Sequence, residues 1–375
     1  MVGGGKDAFI GNVHRMAARL DGCIDLVCGA FSSNPKKSKA SGKALFLPEN
    51  RVYTSYYEMF QQEAELPEEE RMDFVSIVTP NHLHFEPAKL ALESGFHVVC
   101  DKPVTFNIEE AKELKKIINK KKLLFALTHN YTGYPMVKEA KAMVKLGRLG
   151  TIRRCIVEYP QGWLATRLEV TGQKQADWRT DPNKSGKAGA MGDIGTHAEN
   201  LLEYITGLQI THVCADLNTF VKGRQLDDDG AILLKLQNGA KATLLATQIA
   251  AGEENNLRIR VYGEKGGLDW SHENPNTLLH RTLNKPLQML RTGVGKQAQT
   301  TQAAIRIPAG HPEGFLEAFA NIYKNFAVTL SQQLEGKRLK PLNLDFPTID
   351  DGIRGMQFID RVVESAASNK KWTKF

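Results

Sequence analysis

A lysine and an aspartate–histidine pair are the residues whose types and spacing best fit catalysis. Lys102 follows an apolar run at residues 96–100 that is typical of a buried strand, and Pro103 disfavours helix at Lys102. A lysine at the carboxyl end of a parallel strand lies where open α/β sheets bind ligands, and its ammonium can act on a hydroxyl or carbonyl group. Asp193 and His197 are four residues apart, which places both side chains on one face of a helix.

The aspartate–histidine pair can be interpreted in three ways. In the first, His197 takes or gives a hydroxyl proton, as a histidine side chain can near neutral pH, while Asp193 orients the imidazole, holds a substrate hydroxyl, or does both. Alternatively, Asp193 is only an acid near a helix N-terminus and His197 an interior histidine with its hydrogen bonds satisfied. The spacing also fits two metal ligands, but two are too few and the sequence shows no third, so we expect no metal site.

Elements that would position these residues are visible in the first third of the chain. Apolar runs at residues 24–30, 73–79, 96–100 and 123–127 predict strands, with helical patterns between them at 85–94 and 108–119. Strands that alternate with helices indicate βαβ units and a parallel sheet. Because the crossovers are right-handed, a doubly wound α/β fold follows.

The glycine-rich start predicts a phosphate-binding turn. Gly3, Gly5 and Gly11 form a loosened version of the dinucleotide fingerprint, followed by an amphipathic stretch to Leu20. A helix there offers its positive N-terminus to a pyrophosphate. Only Met1 and Val2 precede the glycines, so the first strand is either very short or partly lost from this sequence. The alternative is that the glycines are merely a flexible terminus.

The turn after the second predicted strand bears on cofactor choice. In dinucleotide-binding folds an acid at this position usually binds the ribose hydroxyls of NAD. This chain has Ser32, Ser33 and Asn34 there, followed by Lys36 and Lys37, and no acid. The turn therefore favours NADP over NAD, unless it is simply a turn that tolerates either cofactor.

Composition excludes several classes of protein. The 375 residues are 42% apolar and 24% charged, which is ordinary for a globular protein of about two domains. No apolar run approaches the roughly 20 residues of a membrane span, and no signal peptide is visible. Five scattered cysteines without a CxxC pair argue against zinc and disulfides and suit the cytoplasm. The net charge of +7 is dispersed, so we expect neither nucleic acid nor membrane as partner.

The second half has a different organisation. A strand at 151–159 is followed by a long polar, glycine-containing stretch to residue 192, which is typical of a functional loop. Strands are predicted at 211–218, 230–237, 240–250 and 256–263, with a hairpin at Asn238-Gly239. Residues 274–301 look like a polar surface excursion. Helices at 312–334 and 348–368 close the chain.

Taken together, these motifs resemble the glucose–fructose oxidoreductase/inositol dehydrogenase (Gfo/Idh/MocA) family. The resemblance rests on the glycine-rich start, on Thr79-Pro80-Asn81-His82-Leu83-His84 and on Cys100-Asp101-Lys102-Pro103, in that order. It continues with Trp178-Arg179-Thr180-Asp181-Pro182 and with Gly189-Ala190-Met191-Gly192-Asp193-Ile194-Gly195-Thr196-His197. Family members commonly carry Glu-Lys-Pro, so Asp101 is a departure.

The resemblance implies a two-domain NAD(P)-dependent oxidoreductase. A Rossmann-like domain would span residues 1–128. An α/β domain at 129–375, with an open, mostly antiparallel sheet, would bind substrate and form a homodimer or homotetramer. Substrates in the family are mostly sugars, inositols and related polyols. With Lys102 as electrostatic partner, His197 would then be the proton acceptor or donor, and Asp193 completes the predicted catalytic set.

Further residues are assigned to the cofactor or the substrate by their place after predicted strands or in the family motifs. We expect the cofactor to contact Thr79, Asn81, His84, Asp101, Pro103 and Asn130. We expect the substrate to contact Tyr131, Trp178, Arg179 and His311. Alternatives are a loop aromatic at Trp178 and a plain helix start near His311.

Three functions remain open at this point. The first is a dehydrogenase or reductase of a polyol, sugar or sugar acid. The second uses the same residues without net redox change, as in an epimerase, lyase or glycosidase that oxidises its sugar transiently. The third is a nucleotide-binding sensor without catalysis, against which the Lys102, Asp193 and His197 set argues, because a sensor needs no proton relay.

Overall fold

Two sheets organise the chain, which this computed structural model describes over residues 1–6 and 8–375. The first compact unit comprises Met1–Asn130 and Phe319–Ile353, and the second comprises Tyr131–Ala318 and Arg354–Phe375. The predicted division at residue 128 stays a prediction. The units differ from it in one respect, since Phe319–Ile353 lies with the first unit.

A four-stranded parallel sheet forms the centre of the first unit. Its strands pair in the order β1-β2-β3-β4, and the residues of β3 and β4 are all buried, as expected where helices cover both faces. The strands are β1 (Val2–Gly3), β2 (Phe74–Val78), β3 (His97–Cys100) and β4 (Phe125–Leu127). The helices of this part are α1 (Phe9–Arg19), α2 (Pro35–Ala44), α3 (Tyr56–Glu65), α4 (Phe85–Glu93) and α5 (Ile108–Lys121).

The strand predicted at residues 24–30 is wrong. The structure has only single parallel bridges there, between Val2 and Ala30 and between Gly29 and Val52. The physical reason is the length of β1, because two residues offer a neighbouring chain too few partners for a ladder. The bridged residues nevertheless continue the sheet beyond β1.

Residues from late in the chain complete the core of the first unit. Tyr323 and Phe326 are buried, and both rings pack near Phe74 of β2. Leu127 at the end of β4 donates its backbone N–H to the Pro347 carbonyl at 2.8 Å. These contacts explain why Phe319–Ile353 belongs to this unit.

A nine-stranded sheet forms the second unit, in the order β12-β11-β10-β9-β5-β8-β7-β6-β13. Among the described strand pairs of this sheet, β5 and β8 are parallel and the others antiparallel. This mostly antiparallel sheet confirms the predicted fold class. Its strands are β5 (Ile152–Pro160), β6 (Ile210–Asn218), β7 (Asp229–Leu236), β8 (Lys241–Thr247), β9 (Arg258–Gly263), β10 (Gly266–Ser271), β11 (Thr277–Thr282), β12 (Lys285–Arg291) and β13 (Thr373–Lys374).

Two local predictions in this sheet have opposite outcomes. The hairpin at Asn238-Gly239 is confirmed, because β7 and β8 pair across it and Gly239 has φ +86°. The surface excursion predicted at 274–301 is wrong, since that segment contains β11 and β12. Every residue of the edge strand β12 but one is exposed, and the strand contains Pro286, which in a sequence argues against a regular strand.

Helices and one π-helical turn complete the second unit. The π-helical turn Met191–Gly195 leads directly into α9, whose Leu201 and Leu202 are buried. The helices are α6 (Pro135–Lys145), α7 (Lys174–Arg179), α8 (Pro182–Ser185), α9 (Thr196–Thr206) and α10 (Gln299–Ala303). Both predicted C-terminal helices are present, as α11 (Phe315–Leu334) and α12 (Ile349–Ala366), and the short strand β13 follows them.

The described residues contain neither a membrane-spanning helix nor a metal-binding cluster. No helix within 1–6 and 8–375 has the length and apolarity needed to cross a bilayer. The same residues contain no cluster of three or more histidine, cysteine or acidic side chains arranged to hold a metal ion.

Candidate active site

The glycine turn before α1 leaves no room for side chains. Gly4 adopts φ +70°, which favours glycine, and a Cβ on Gly11 would lie 2.3 Å from the Gly4 Cα. A Cβ on Gly5 would lie 2.8 Å from the Phe31 carbonyl oxygen. Gly3, Gly5 and Gly11 therefore surround Gly4, which the sequence reasoning did not single out. This close packing brings bare backbone to the N-terminus of α1, as a pyrophosphate requires.

A cleft of about 440 Å³ lies beside this turn. Lys6 and Arg15 line it together with Gly4 and Gly5, and the Arg15 guanidinium donates to the Gly4 carbonyl at 2.6 Å. The glycine cradle and the two cations fit a dinucleotide pyrophosphate. Asn130, buried at the end of this unit, does not line this cleft, and its side-chain nitrogen has no hydrogen-bond partner within the described part of the chain.

The turn after Ala30 is built around a helix cap. Asn34 accepts from the Lys37 backbone N–H at 3.1 Å and caps α2, while Ser32 Oγ accepts from the Asn34 N–H at 3.2 Å. Ser33 and the lysines at 36 and 37 are exposed. The cap explains the Ser-Ser-Asn-Pro sequence as a turn, and it leaves cationic side chains at its surface.

His84 joins the loops that follow β2 and β3. Its Nε2 lies 2.8 Å from the Thr79 carbonyl oxygen and its Nδ1 lies 2.7 Å from the Pro103 carbonyl oxygen. The residue is fully buried, and burial lowers its pKa. A neutral imidazole donates to only one of these two carbonyls, so His84 packs between the loops with one hydrogen bond, and Asn81 is buried nearby. Cofactor contact by these residues stays a prediction.

Asp101 fixes the backbone of Lys102. Its Oδ1 accepts from the Lys102 N–H at 3.0 Å and from Thr128 Oγ1 at 2.8 Å, and it lies 3.9 Å from His14 Nε2. Burial by itself would raise the pKa of Asp101. The neighbouring His14 ring, followed by the Lys102 ammonium, outweighs burial and holds that pKa well below its ordinary range. A permanent carboxylate therefore anchors the predicted catalytic lysine.

A buried polar chain lies behind Asp101. His14 Nδ1 contacts the Tyr323 hydroxyl at 2.7 Å, and that hydroxyl contacts Ser76 Oγ at 2.9 Å. His14 lies on α1, Ser76 on β2 and Tyr323 on α11. His14 and Tyr323 were not predicted, because no local pattern indicates that α11 returns to this unit.

Asp193 is held by two side chains in the second unit. Its Oδ2 accepts from Arg179 Nε at 3.0 Å and from Gln248 Nε2 at 2.8 Å. The helix predicted from 193 begins only at Thr196, and Asp193 lies in the π-helical turn before it. Such turns are frequent at functional sites.

Tyrosines surround His197 in the first turn of α9. The ring of Tyr131 packs edge-on against His197 with centroids 5.0 Å apart, and Tyr159 lies at 6.3 Å. The hydroxyls of Tyr131 and Tyr159 are hydrogen-bonded. Burial raises the pKa of both phenols, so they stay protonated at neutral pH. Tyr131, a predicted substrate contact, thus lies beside His197. Tyr159 lies there too, although it was not predicted as a site residue.

Uncharged amides connect the tyrosines with Asp193. Asn255 Oδ1 accepts from the Tyr159 hydroxyl at 2.7 Å and from Gln161 Nε2 at 2.6 Å. Gln248 Nε2, which donates to Asp193, also lies 3.5 Å from Gln161 Oε1. The sequence reasoning missed these amides. The sequence did contain a feature that could have identified two of them, because Gln161 and Gln248 each directly follow a strand.

Arg179 lies between two tryptophans and is already paired. Its guanidinium is 4.0 Å above the Trp178 ring and 5.9 Å from the Trp163 ring, and it donates to Asp193 and Gln175. Trp178 donates its indole N–H to Gln175 Oε1 at 3.3 Å. Trp178 and Arg179 therefore lie with Asp193, while their contact with substrate stays a prediction.

His311 lies apart from this group. It is exposed in a loop before α11, and its Nδ1 lies 3.1 Å from the Pro308 carbonyl oxygen. The helix begins at Phe315 rather than at the predicted residue 312, so His311 is not at a helix start. Its role in substrate binding stays a prediction.

Comparisons with known proteins cover both units. Residues 1–129 match the family model described as "Oxidoreductase family, NAD-binding Rossmann fold", and residues 137–269 match "GFO/IDH/MocA C-terminal domain". The uncharacterized oxidoreductase YfiI of Bacillus subtilis (strain 168) is 34% identical over 378 residues, covering 100% of this chain and 96% of the relative.

Solved structures of an inositol dehydrogenase homolog from Azotobacter vinelandii are similar over the whole chain. The complex with NAD+ has a TM-score of 0.95 at 34% identity, covering 100% of this chain and 96% of that one. The complex with NADH and myo-inositol has a TM-score of 0.90 at 33% identity, with the same coverage.

Proposed function

This chain belongs to the Gfo/Idh/MocA family of NAD-binding oxidoreductases. We propose that it transfers hydride between a nicotinamide cofactor and the hydroxyl-bearing carbon of an uncharged substrate, which is an inositol, a sugar or a related polyol. The proposal rests mainly on the uncharged amides and phenols that lie beside His197 and Asp193. The neighbouring cation, Arg179, is already paired with Asp193. The myo-inositol complex of the similar Azotobacter vinelandii protein supports the same class of substrate.

The cofactor would be held by the glycine turn and the loops after β2 and β3. The turn at Gly4 and Gly11 would receive the pyrophosphate, and Thr79, Asn81 and Asn130 would line the groove. When bound, the nicotinamide supplies the chemistry of hydride acceptance and donation. All other chemistry falls to side chains of the protein.

We propose NADP as the preferred cofactor. The turn after Ala30 has no acid to repel a 2′-phosphate, and exposed lysines lie at 36 and 37. The similarity to a protein solved with NAD+ favours the alternative. The dissociation constants of NADH and NADPH decide between them.

His197 is the proposed proton acceptor in the oxidation direction. An imidazole can take the hydroxyl proton as hydride leaves the same carbon, so that a carbonyl forms. Tyr131, packed edge-on against the ring, fixes its orientation. The Lys102 ammonium is proposed to favour the alkoxide by its charge, and Asp193 to accept a hydrogen bond from a second hydroxyl of the substrate.

Arg179 argues against anionic substrates. A phosphate or carboxylate would have to compete with Asp193 for a guanidinium that already donates to it at 3.0 Å. A hydroxyl can instead bind Asp193 and the neighbouring amides without breaking that ion pair. We therefore expect neutral polyols to be oxidised in preference to sugar phosphates or uronates.

The first experiment is a fluorescence titration with NADH and NADPH, followed by a screen of polyols with the tighter-binding cofactor. We expect submillimolar binding of one cofactor and turnover of myo-inositol or another neutral polyol above that of glucose 6-phosphate and glucuronate. If neither cofactor binds, the proposal is contradicted. The exception is a protein purified with cofactor already bound, which would release nicotinamide into the supernatant on denaturation. Product formation without a net change in nicotinamide absorbance would favour the enzyme without net redox change. Cofactor binding without any turnover would favour the nucleotide-binding sensor.

We also propose that the chain forms a homodimer or homotetramer through the nine-stranded sheet. Exposed apolar side chains on this sheet include Leu233, Leu287 and Met289, which water covers poorly. Light scattering of the purified protein measures the assembly. A monomer at micromolar concentration would contradict this part of the proposal.

Finally, we place the reaction in the cytoplasm. Cys28, Cys100 and Cys155 are buried free thiols, and Cys214 forms no disulfide. Free thiols persist in a reducing compartment. Fractionation with a compartment marker tests this assignment.

A further inference from the structure

Asp227 binds three consecutive backbone N–H groups. Its Oδ1 accepts from Gly189 at 2.6 Å and its Oδ2 from Met191 at 2.8 Å. Its own main-chain carbonyl accepts from the N–H of Ala190, between them, at 2.8 Å. One residue, two positions before the start of β7, therefore holds the whole turn at residues 189–191.

The sequence of the turn fits this arrangement. A Cβ on Gly189 would lie 2.1 Å from the Asp227 carbonyl oxygen, so any other residue would push the turn away. The Gly189 carbonyl in turn accepts from the Asp193 N–H at 2.9 Å. The position of the Asp193 backbone thus follows directly from the contact between Gly189 and Asp227.

The next residue positions the partner of Asp193. The Asp228 carbonyl accepts from the Gln248 backbone N–H at 2.9 Å, and the Gln248 side chain donates to Asp193 Oδ2 at 2.8 Å. The Asp228 carboxylate accepts from the N–H groups of Phe220 and Val221 at 2.8 and 2.9 Å. The pair at 227–228 therefore sets both the backbone of Asp193 and the amide that orients its carboxylate.

We propose that Asp227 is a positioning residue for Asp193, an inference that rests on the proposed function, in which Asp193 binds a substrate hydroxyl. Asp227 touches no reacting atom. It acts by holding the turn at 189–191, and a carboxylate suits this task because both its oxygens accept and neither donates. An asparagine would turn a donor toward one of the N–H groups.

Asp227→Asn is the first variant. We expect kcat with a neutral polyol to fall about tenfold or more, as expected when a buried donor loses its acceptor. The dissociation constant of NADH should stay within about twofold, since the glycine turn belongs to the other unit. Hydrogen exchange should accelerate in the peptide containing residues 189–193. Asp229→Asn is the matched control, because that side chain lies two residues away on β7 and holds no turn.

Gly189→Ala tests the same contact from the other side and leaves the carboxylate intact. It should reproduce both the fall in kcat and the faster exchange. It also keeps the proposal open to refutation if Asp227→Asn fails to fold. Unchanged kcat in a folded Asp227→Asn or Gly189→Ala enzyme, or equal losses in Asp229→Asn, would overturn the proposal.

A readout without substrate separates this proposal from the proposed function. Arg179, held by Asp193, lies over Trp178, so movement of Asp193 should change tryptophan emission, and a Trp178→Phe background should abolish that change. If the wild-type protein oxidises no polyol, the proposed function fails, and the emission and exchange of Asp227→Asn alone decide whether Asp227 positions Asp193. Wild-type emission and exchange in that variant would overturn it.

Discussion

Arg179 and Asp193 form an ion pair, 3.0 Å from Nε to Oδ2, whose guanidinium also lies 4.0 Å above Trp178. The pair joins α7 to the π-helical turn before α9, so it holds two parts of the proposed substrate site together. Gln248 supplies the second hydrogen bond to the same carboxylate oxygen. Arg179 is therefore expected to act on catalysis through Asp193 rather than by binding an anion.

Removal of the guanidinium should weaken substrate binding. Arg179→Leu should lower kcat/KM for a neutral polyol about tenfold, because a charge-assisted hydrogen bond contributes about 1.5–3 kcal/mol and part of it is retained by Gln248. Steady-state kinetics with a fixed cofactor concentration measure this. Arg153→Leu, which removes an exposed arginine paired with Glu264, is the control. Equal kcat/KM values in the two variants would show that Arg179 does not contribute to the substrate site.

His197→Asn should abolish most proton transfer. General acid–base catalysis contributes about 10²–10⁴-fold, so we expect kcat to fall by that range while NADH still binds. The fall should be smaller above neutral pH, where hydroxide replaces the base. His212→Asn, on β6 of the same unit, serves as the control. A kcat within a few-fold of wild type would exclude His197 as the proton acceptor.

Lys102→Met should slow turnover without loss of cofactor. Methionine keeps the apolar length of the side chain and removes the charge that is proposed to stabilise the alkoxide, so we expect kcat to fall about 10²-fold or more. The dissociation constant of NADH, measured by fluorescence, should change little. Lys112→Met removes an exposed charge from α5 as the control. An unaffected kcat would exclude Lys102 from the mechanism.

Gly11→Ala should disable cofactor binding. The new Cβ would lie 2.3 Å from the Gly4 Cα, so the glycine turn or α1 must move. We expect the dissociation constant of NADH to rise at least about tenfold, equivalent to about 1.4 kcal/mol. Gly355→Ala on α12 is the control, since its Cβ would meet nothing within 4 Å. Equal NADH affinity in the two variants would show that the turn does not bind the cofactor.

Buried neutral histidines should make stability fall in acid. His97 Nδ1 accepts from the Leu124 N–H at 2.8 Å, and burial lowers the pKa of His97 to about 4. Burial, followed by the Lys102 charge, lowers that of His129 to about 3. The unfolded histidine has a pKa near 6.5, so between about pH 6.5 and 4 the unfolded state binds protons that the folded state does not. The free energy of unfolding must therefore decrease as the pH falls through this window.

We expect a loss of about 1–2 kcal/mol for each of the two histidines between pH 7 and pH 5. Urea unfolding at the two pH values measures it. His97→Gln should reduce the difference between them, whereas His311→Gln, at an exposed position, should not. A free energy of unfolding that stays constant from pH 7 to pH 5 would contradict neutral burial.

Buried strands were the most predictable part of the fold. The apolar runs that contain β2, β3 and β4 are continuous because helices cover both faces of a parallel sheet, and such runs are visible without neighbours. The run at 24–30 is equally apolar, but its pairing depends on β1, which has two residues. The edge strand β12 was missed for a different reason, since it is exposed and contains a proline.

The site was predictable only where a motif is local. Lys102, Asp193 and His197 stand out because their neighbours along the chain form recognisable patterns. Asp227, Gln248 and Asn255 do not, because sheet pairing brings them to Asp193 and Tyr159 from distant segments. Even Asp193, which a local motif indicates, lies in a π-helical turn that the four-residue spacing did not predict.

The return of Phe319–Ile353 to the first unit has a consequence for how the protein is made. His14 and Ser76 meet Tyr323, so part of the first unit's interior is synthesised only after most of the second unit has emerged from the ribosome. A nascent chain that ends at Asn130 exposes the apolar surface that Tyr323 and Phe326 later cover. The nucleotide-binding half, although translated first, must therefore wait for a late segment of the same chain before it is finished, and a stalled or shortened translation product would be a substrate for chaperones and proteases rather than a working domain.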